Sequence, residues 1–201
     1  MLGDKRRKKL ARQRRRLAKS GDVEFVHATT PAEVAQALPD FFRLEASGWK
    51  GAAHSAAAQS PAIRTFMESA VTGLAALGQA SVVRLVVAGH AIAAGIVLRG
   101  HEGAWFWKIA YDENFAHASP GMLLTCEATR ALLADPTLAW CDSCAAPGQT
   151  MVERVWGERR TIVDRLIATQ PGSGFAVACR LESMRRRVIG MARRLRDTIR
   201  R

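Results

Sequence analysis

Acidic residues are scarce in this chain of 201 residues, with 18 Asp and Glu against 30 Lys and Arg. Cysteine is scarcer still. Cys126, Cys141, Cys144 and Cys179 are too few and too scattered for a disulfide framework, so a reducing cytoplasm is the expected compartment. No apolar run approaches the roughly 18 residues of a membrane span. The basic stretch from Lys5 onward has no hydrophobic segment behind it, which argues against reading it as a secretory signal. Internal repeats are absent, and so are low-complexity tracts apart from the two basic ends. What is present, 48% apolar residues over this length, suits one globular domain with a real core.

The net charge of +12 is unevenly placed: residues 1–19 carry +9 and residues 180–201 carry +7, which leaves −4 for the centre. A nucleic-acid-binding fold mounts its basic residues on the folded core. Here they sit in terminal segments, so nucleic acid is not the expected partner. Binding of the basic ends to an anionic surface or to nucleic acid is the alternative, with peripheral contact with a membrane as one form of it.

Residues 5–19 are strong helix formers with a thin apolar stripe (Leu10, Leu17), which predicts a solvated or weakly docked helix. Residues 23–27 alternate as a strand. Thr30, Pro31 and Glu33 have the spacing of a capping box, so a helix is expected to about residue 47. A loop should follow to Ser60, then a helix to about Leu77 that ends at Gly78. Three β-rich runs at 80–88, 91–99 and 104–111 read as a meander. Residues 120–134 read as a helix, 137–141 as a short strand, 150–156 as a short helix, 160–169 as a further strand and 171–174 as a turn. A long helix closes the chain, with Leu181, Met184, Val188, Met191, Leu195 and Ile199 in one apolar stripe. That stripe can pack on the domain, pair with a second copy, or lie on a membrane with its arginines among headgroups. A meander followed by a strand–helix–strand crossover implies an α/β (α+β) fold with a mixed sheet flanked by helices.

The helix predicted from residue 120 opens on Ser119-Pro120-Gly121. Serine favours the cap position, proline suits the first helical position, and a glycine lets a ligand approach the backbone. The free N–H groups of the first turn and the positive end of the helix dipole favour a phosphate or pyrophosphate, which points toward a nucleotide-like cofactor.

Three segments carry a family resemblance: EASGWKG at 45–51, WKIAYDENFAHASPGMLL at 107–124, and CDSCAAPGQTMVERVWGERRTI at 141–162. They resemble the GNAT-fold acetyltransferases of the cellulose-biosynthesis type, which are related to the FemABX peptidyltransferases. The resemblance covers about residues 20–170. It implies a GNAT-like fold and acetyl-CoA or another acyl-CoA as cofactor. It also implies an N-acyltransferase acting on a small-molecule or sugar amine. Members of that family often carry two GNAT-like halves joined by a basic helix. This chain therefore looks like a C-terminal half: a connector at 1–20, an acyltransferase domain at 21–170 and an amphipathic helix at 171–201. An N-terminal half or a second copy would then be its partner. A degenerate module that scaffolds such a half is the rival reading.

Acyl transfer to an amine requires the cofactor to be held, the thioester oxygen polarised and the amine deprotonated. By this resemblance Ser119, Pro120, Gly121, Met122 and Leu123 would hold the cofactor, although the loop has fewer glycines than is usual in the superfamily. His117 can add a contact. Asp142, at a strand end, can act as base or orient the amine, or can simply cap its own loop. Tyr111 can donate to the departing thiolate, or can sit in the core with its hydroxyl wet. Lys108 inside an apolar strand needs a partner or a cleft and would bind substrate, as would Asp112. Trp49 and Lys50 match the family's Trp-Lys in the loop lining the acceptor groove. Trp156 matches a core position, and Val152-Glu153 stand where relatives often have Tyr-Lys. No metal is expected, because Cys141-x-x-Cys144 lacks a second pair of ligands, and no redox role, because Pro147-Gly148 argue for a loop where a redox pair needs a helix start.

Overall fold

The expected meander forms. β2 (Ala80–Val87), β3 (His90–Gly100) and β4 (Gly103–Tyr111) pair antiparallel in chain order. β1 (Val23–Ala28) lies antiparallel beside β2, and β5 (Trp140–Asp142) lies parallel beside β4. The sheet is therefore mixed but mostly antiparallel. The structure is a computed structural model that describes residues 3–146, 148, 150–169 and 174–199, with the side chains of residues 49, 50, 150, 193, 194 and 196–199 excepted. The chain divides into two compact units, residues 1–158 and 159–201.

In the first unit both faces of the sheet are covered, so its central strands need few polar residues. Val82, Ala94 and Ile96 belong to one buried layer, and Val83, Ala93 and Val97 to the other. α2 (Pro31–Ser47) and α4 (Pro61–Ala76) cover the first face. The rings of Phe41 and Phe42 meet edge to face at 5.8 Å, and burial of each such side chain contributes about 1.5–3 kcal/mol. α2 starts on its capping box. Thr30 Oγ1 accepts from the Glu33 N–H (3.3 Å) and Glu33 Oε2 accepts from the Thr30 N–H (3.1 Å). The segment expected as a loop contains a short helix α3 (Trp49–Ala52) and a 3-10 turn at Ala57–Gln59.

α1 (Asp4–Leu17) and α5 (Pro120–Leu133) lie on the second face. Of the two expectations for the basic helix, solvated or weakly docked, the structure shows a docked one. Leu17 is 2% exposed, Gln13 is buried, and Leu10 packs partly against the same cluster. The thin stripe docks because its one uncharged polar member finds a partner: Gln13 Nε2 donates to Ser119 Oγ at 2.8 Å. Arg14 adds an ion pair to Glu127 of α5 at 3.9 Å.

Two strands differ from expectation. β5 is shorter and later than residues 137–141, because the Asp135 carboxylate accepts from the Thr137 N–H (2.9 Å) and hydroxyl (2.6 Å) and holds that residue in a turn. Residues 160–169 form no strand. Their apolar residues come as adjacent pairs, Ile162-Val163 and Leu166-Ile167, which fall on both faces of an extended chain, and all four are exposed. Asp164 instead pairs with Arg186 of α7 (Gly174–Ile199), 3.0 Å away within the second unit. The short helix α6 covers Thr150–Glu153, and the turn expected at 171–174 falls largely outside the described residues.

Leu17→Ala should lower stability by about 2–5 kcal/mol in urea unfolding, since a fully buried leucine is lost. A loss under about 1 kcal/mol would mean that α1 is not docked. His27 in β1 lies 3.0 Å from Ser81 Oγ, and its pKa is lowered, by burial first and then by the charge of Arg99. The unfolded chain therefore binds more protons. The stabilisation is full above an unfolded pKa of about 6.5 and is lost as the pH falls through the lower folded value. The urea midpoint should drop over that range, and His27→Gln should flatten the drop.

Candidate active site

One extra residue in β4 shapes the site. Ile96 pairs with Lys108 and Val97 with Phe106, so Trp107 stands outside the register as a bulge. Gly95 leaves room for the Phe106 ring beside the bulge, since a Cβ there would sit 2.6 Å from Phe106 Cε2. Past the bulge the strand alternates. Ala110 belongs with the layer under α2, while Ile109 and Tyr111 pack toward the layer under α5. Lys108 Nζ lies 3.9 Å from Glu45 Oε1 of α2 and 5.4 Å from the centre of the Trp107 ring.

Glu45 is the residue that sequence reasoning missed. Its side chain is 1% exposed, and Oε2 accepts from the Ala57 N–H at 2.9 Å. A buried carboxylate must be paired and hydrogen-bonded, and both conditions hold here. The signal was available: Glu45 follows Leu38 and Phe41 by seven and four residues, on the apolar stripe of α2. A small cleft, open to solvent, lies between the end of α2 (Leu44, Glu45, Gly48) and the end of β4 (Ile109, Ala110, Tyr111). Glu113 also lines it, and Gly48 allows that side chain close, because a Cβ there would be 3.3 Å from Glu113 Oε1. The cleft thus presents two carboxylates and one phenol.

Tyr111 links the cleft to the start of α5. A Cβ at Gly121 would lie 3.0 Å from Tyr111 Cδ1 and 3.3 Å from Met151 Sδ, so these side chains make the close approach to the backbone. Pro120 occupies the first helical position, as expected. Ser119 departs from expectation. It is left-handed (φ 53°, ψ 54°) and its hydroxyl caps nothing in α5, because that oxygen accepts from Gln13. The Ser119 carbonyl accepts from the Leu123 N–H at 3.1 Å. Of the first turn, the N–H groups of Gly121 and Met122 are then the ones without an intrahelical acceptor. Met122 and Leu123 turn their side chains into buried surroundings.

The remaining residues fall elsewhere. Asp142 Oδ1 accepts from the Cys144 N–H at 2.7 Å and so caps its own loop. Its register beside Trp105 sets it six residues up β4 from Tyr111, ~20 Å along the strand, so the structure does not bring the two together. Asp112 Oδ1 accepts from the Asn114 N–H (2.9 Å) and opens the 3-10 turn at Glu113–Ala118. The ring of His117 stacks near Phe115, with centres 6.5 Å apart. Trp49 and Lys50 belong to α3, and their side chains lie outside the described residues. Trp156 packs on the second layer and its Nε1 donates to Thr129 Oγ1 at 2.7 Å, as suits a core position. Cys141 is a free thiol whose pKa is raised by burial, the reverse of a redox-active cysteine.

β4 is paired on its outer side only at Gly103–Trp105. Among the described residues no strand covers that edge from Phe106 to Tyr111. An open edge of backbone N–H and C=O groups can take an extended amide-bearing chain as if it were another strand.

Comparison with known proteins agrees with this layout. Residues 4–148 match the family model of the acetyltransferase (GNAT) domain. No curated protein sequence matches the chain. Among solved structures, an aminoglycoside acetyltransferase from an uncultured soil metagenomic sample, in complex with trehalose, is 8% identical with a TM-score of 0.52; the match covers 74% of this chain and 97% of that one. AAC(6')-Iy in complex with the bisubstrate analogue CoA-S-monomethyl-acetylneamine is 12% identical with a TM-score of 0.50, over 76% and 99% of the two chains. At such identities the likeness is one of fold, and the family rests on the domain match. With its mixed five-stranded sheet and its matched domain, the chain belongs to the GNAT acetyltransferase domain family and is an acyltransferase.

Proposed function

We propose that this protein transfers an acyl group, acetyl in the simplest case, from acyl-CoA to a small-molecule or sugar amine, and that the transfer takes place in the cleft between α2 and β4. The observation that carries this reading is the open edge of β4, which runs from Phe106 to a cleft lined by Glu45, Glu113 and Tyr111, beside the start of α5. The three sequence motifs further support membership of the cellulose-biosynthesis branch of the family.

The residues present fit an acyl-CoA. The N–H groups of Gly121 and Met122, at the positive end of α5, suit its pyrophosphate, and Ser119, Pro120 and Leu123 hold that turn in shape. The free edge of β4 suits the amides of its pantetheine arm. When bound, acyl-CoA supplies an activated thioester carbonyl. The chain's own groups do the rest. Glu45 and Glu113 attract a cationic amine and accept the proton it must lose before its nitrogen can form the new N–C bond. Tyr111, at the junction of cleft and helix, would supply the proton that the departing thiolate needs. Lys108 holds the Glu45 carboxylate in place. By the family resemblance Trp49 and Lys50 would bind the acceptor, as would Asp112. Asp142 has no part in this scheme, because its carboxylate caps a loop away from the cleft.

Two measurements test the proposal. Calorimetric titration with acetyl-CoA should give saturable binding, and no binding at millimolar cofactor by the folded chain would contradict it. With an amine that supports turnover, thiol release should show Glu45→Gln lowering kcat/KM by about 10²–10⁴-fold while acetyl-CoA affinity changes little. Tyr111→Phe should lower kcat by a smaller factor. Unchanged turnover in Glu45→Gln would remove the cleft from the mechanism.

A further inference from the structure

The second unit carries a feature that acyl transfer does not use. Along α7, Val177, Leu181, Met184, Val188, Met191 and Leu195 recur at spacings of four, three, four, three and four, so they form one stripe along the helix. All six are exposed, between 55% and 70%. Exposed aliphatic side chains in such a row mark a surface that another body covers. Ile162, Val163, Leu166 and Ile167 add exposed apolar surface in the same unit.

The charges of the helix select the occupant. The spacing would suit a coiled coil with a second copy, but the positions flanking the stripe from 178 to 192 are Ala178, Arg180, Arg185, Arg187 and Ala192. Parallel or antiparallel, two copies would set arginine against arginine or alanine, with no acid to pair across the seam. Glu182 does not relieve this, because Arg185 and Arg186 of its own helix hold it at 2.6–2.8 Å. Residues 180–201 hold nine arginines and two acids, so the covering body is anionic as well as apolar. A nucleic acid answers the charge and leaves the stripe in water. A bilayer with anionic headgroups answers both, with the stripe at the acyl boundary and the arginines among phosphates.

We propose that α7 is a surface-lying membrane helix that docks this acyltransferase on anionic bilayers. No helix among the described residues is long and apolar enough to cross a membrane, so the mode is adsorption to the surface and not spanning. The proposal is independent of the acceptor, and its test does not read turnover. The full chain is sedimented with vesicles of phosphatidylcholine alone and with vesicles that also contain phosphatidylglycerol. Binding should favour the anionic vesicles at least tenfold and weaken with salt. The triple variant Leu181→Ser, Met184→Ser, Val188→Ser keeps every charge, including those of α1, and should lose at least tenfold in partition while the first unit stays folded by circular dichroism. Arg185→Gln with Arg187→Gln should narrow the difference between the two kinds of vesicle. Three results would overturn the proposal: no binding to anionic vesicles, binding indifferent to the triple variant, or a lipid-free dimer that the triple variant dissolves.

Discussion

The layout of the site rests on one bulge. Were β4 to pair with β3 without a break, Trp107 would take its place in the ladder and every side chain beyond it would change face. With Trp107 outside the register, Lys108 comes within reach of Glu45, and Ala110 lies under α2. Tyr111 reaches the other layer, where it meets Gly121. Gly95 is the room that this arrangement needs, because any side chain there would strike the Phe106 ring. The buried Glu45 carboxylate then has its ammonium partner and its backbone donor.

Much of the frame was legible because it is local. The box of Thr30 and Glu33 involves residues three apart, and the meander is read from β-rich runs and two tight turns. The start of α5 was legible in outline and not in detail. Proline at its first position follows from φ alone, but the role of Ser119 depends on Gln13, more than a hundred residues away. The docking of α1 was hidden for the same reason, since a charge run conceals one glutamine and one leucine that matter. Glu45 was visible as a charge on an apolar stripe, yet only the fold supplies Lys108 as its partner. The strand expected at 160–169 failed on pattern: two adjacent apolar pairs do not make a single face.

The uneven charge of the chain acquires a division of labour from this structure. The domain that belongs to the GNAT family has a cleft lined by two carboxylates, which would suit an amine that arrives as a cation. The arginines gather instead on α1, where the helix also buries Leu17 and reaches Ser119, and on α7, where they flank an apolar stripe. A pI of about 10.7 therefore says little about the substrate and more about what the ends of the chain touch.

Amide hydrogen exchange on the full chain with and without acetyl-CoA tests whether acyl-CoA lies along the open edge of β4 and ends at the α2–β4 cleft. Saturating cofactor should slow exchange in peptides covering residues 106–111 and at Gly121 and Met122, while β1 and β2 are unchanged. Protection confined to other segments, or none in a chain that demonstrably binds the cofactor, would contradict it.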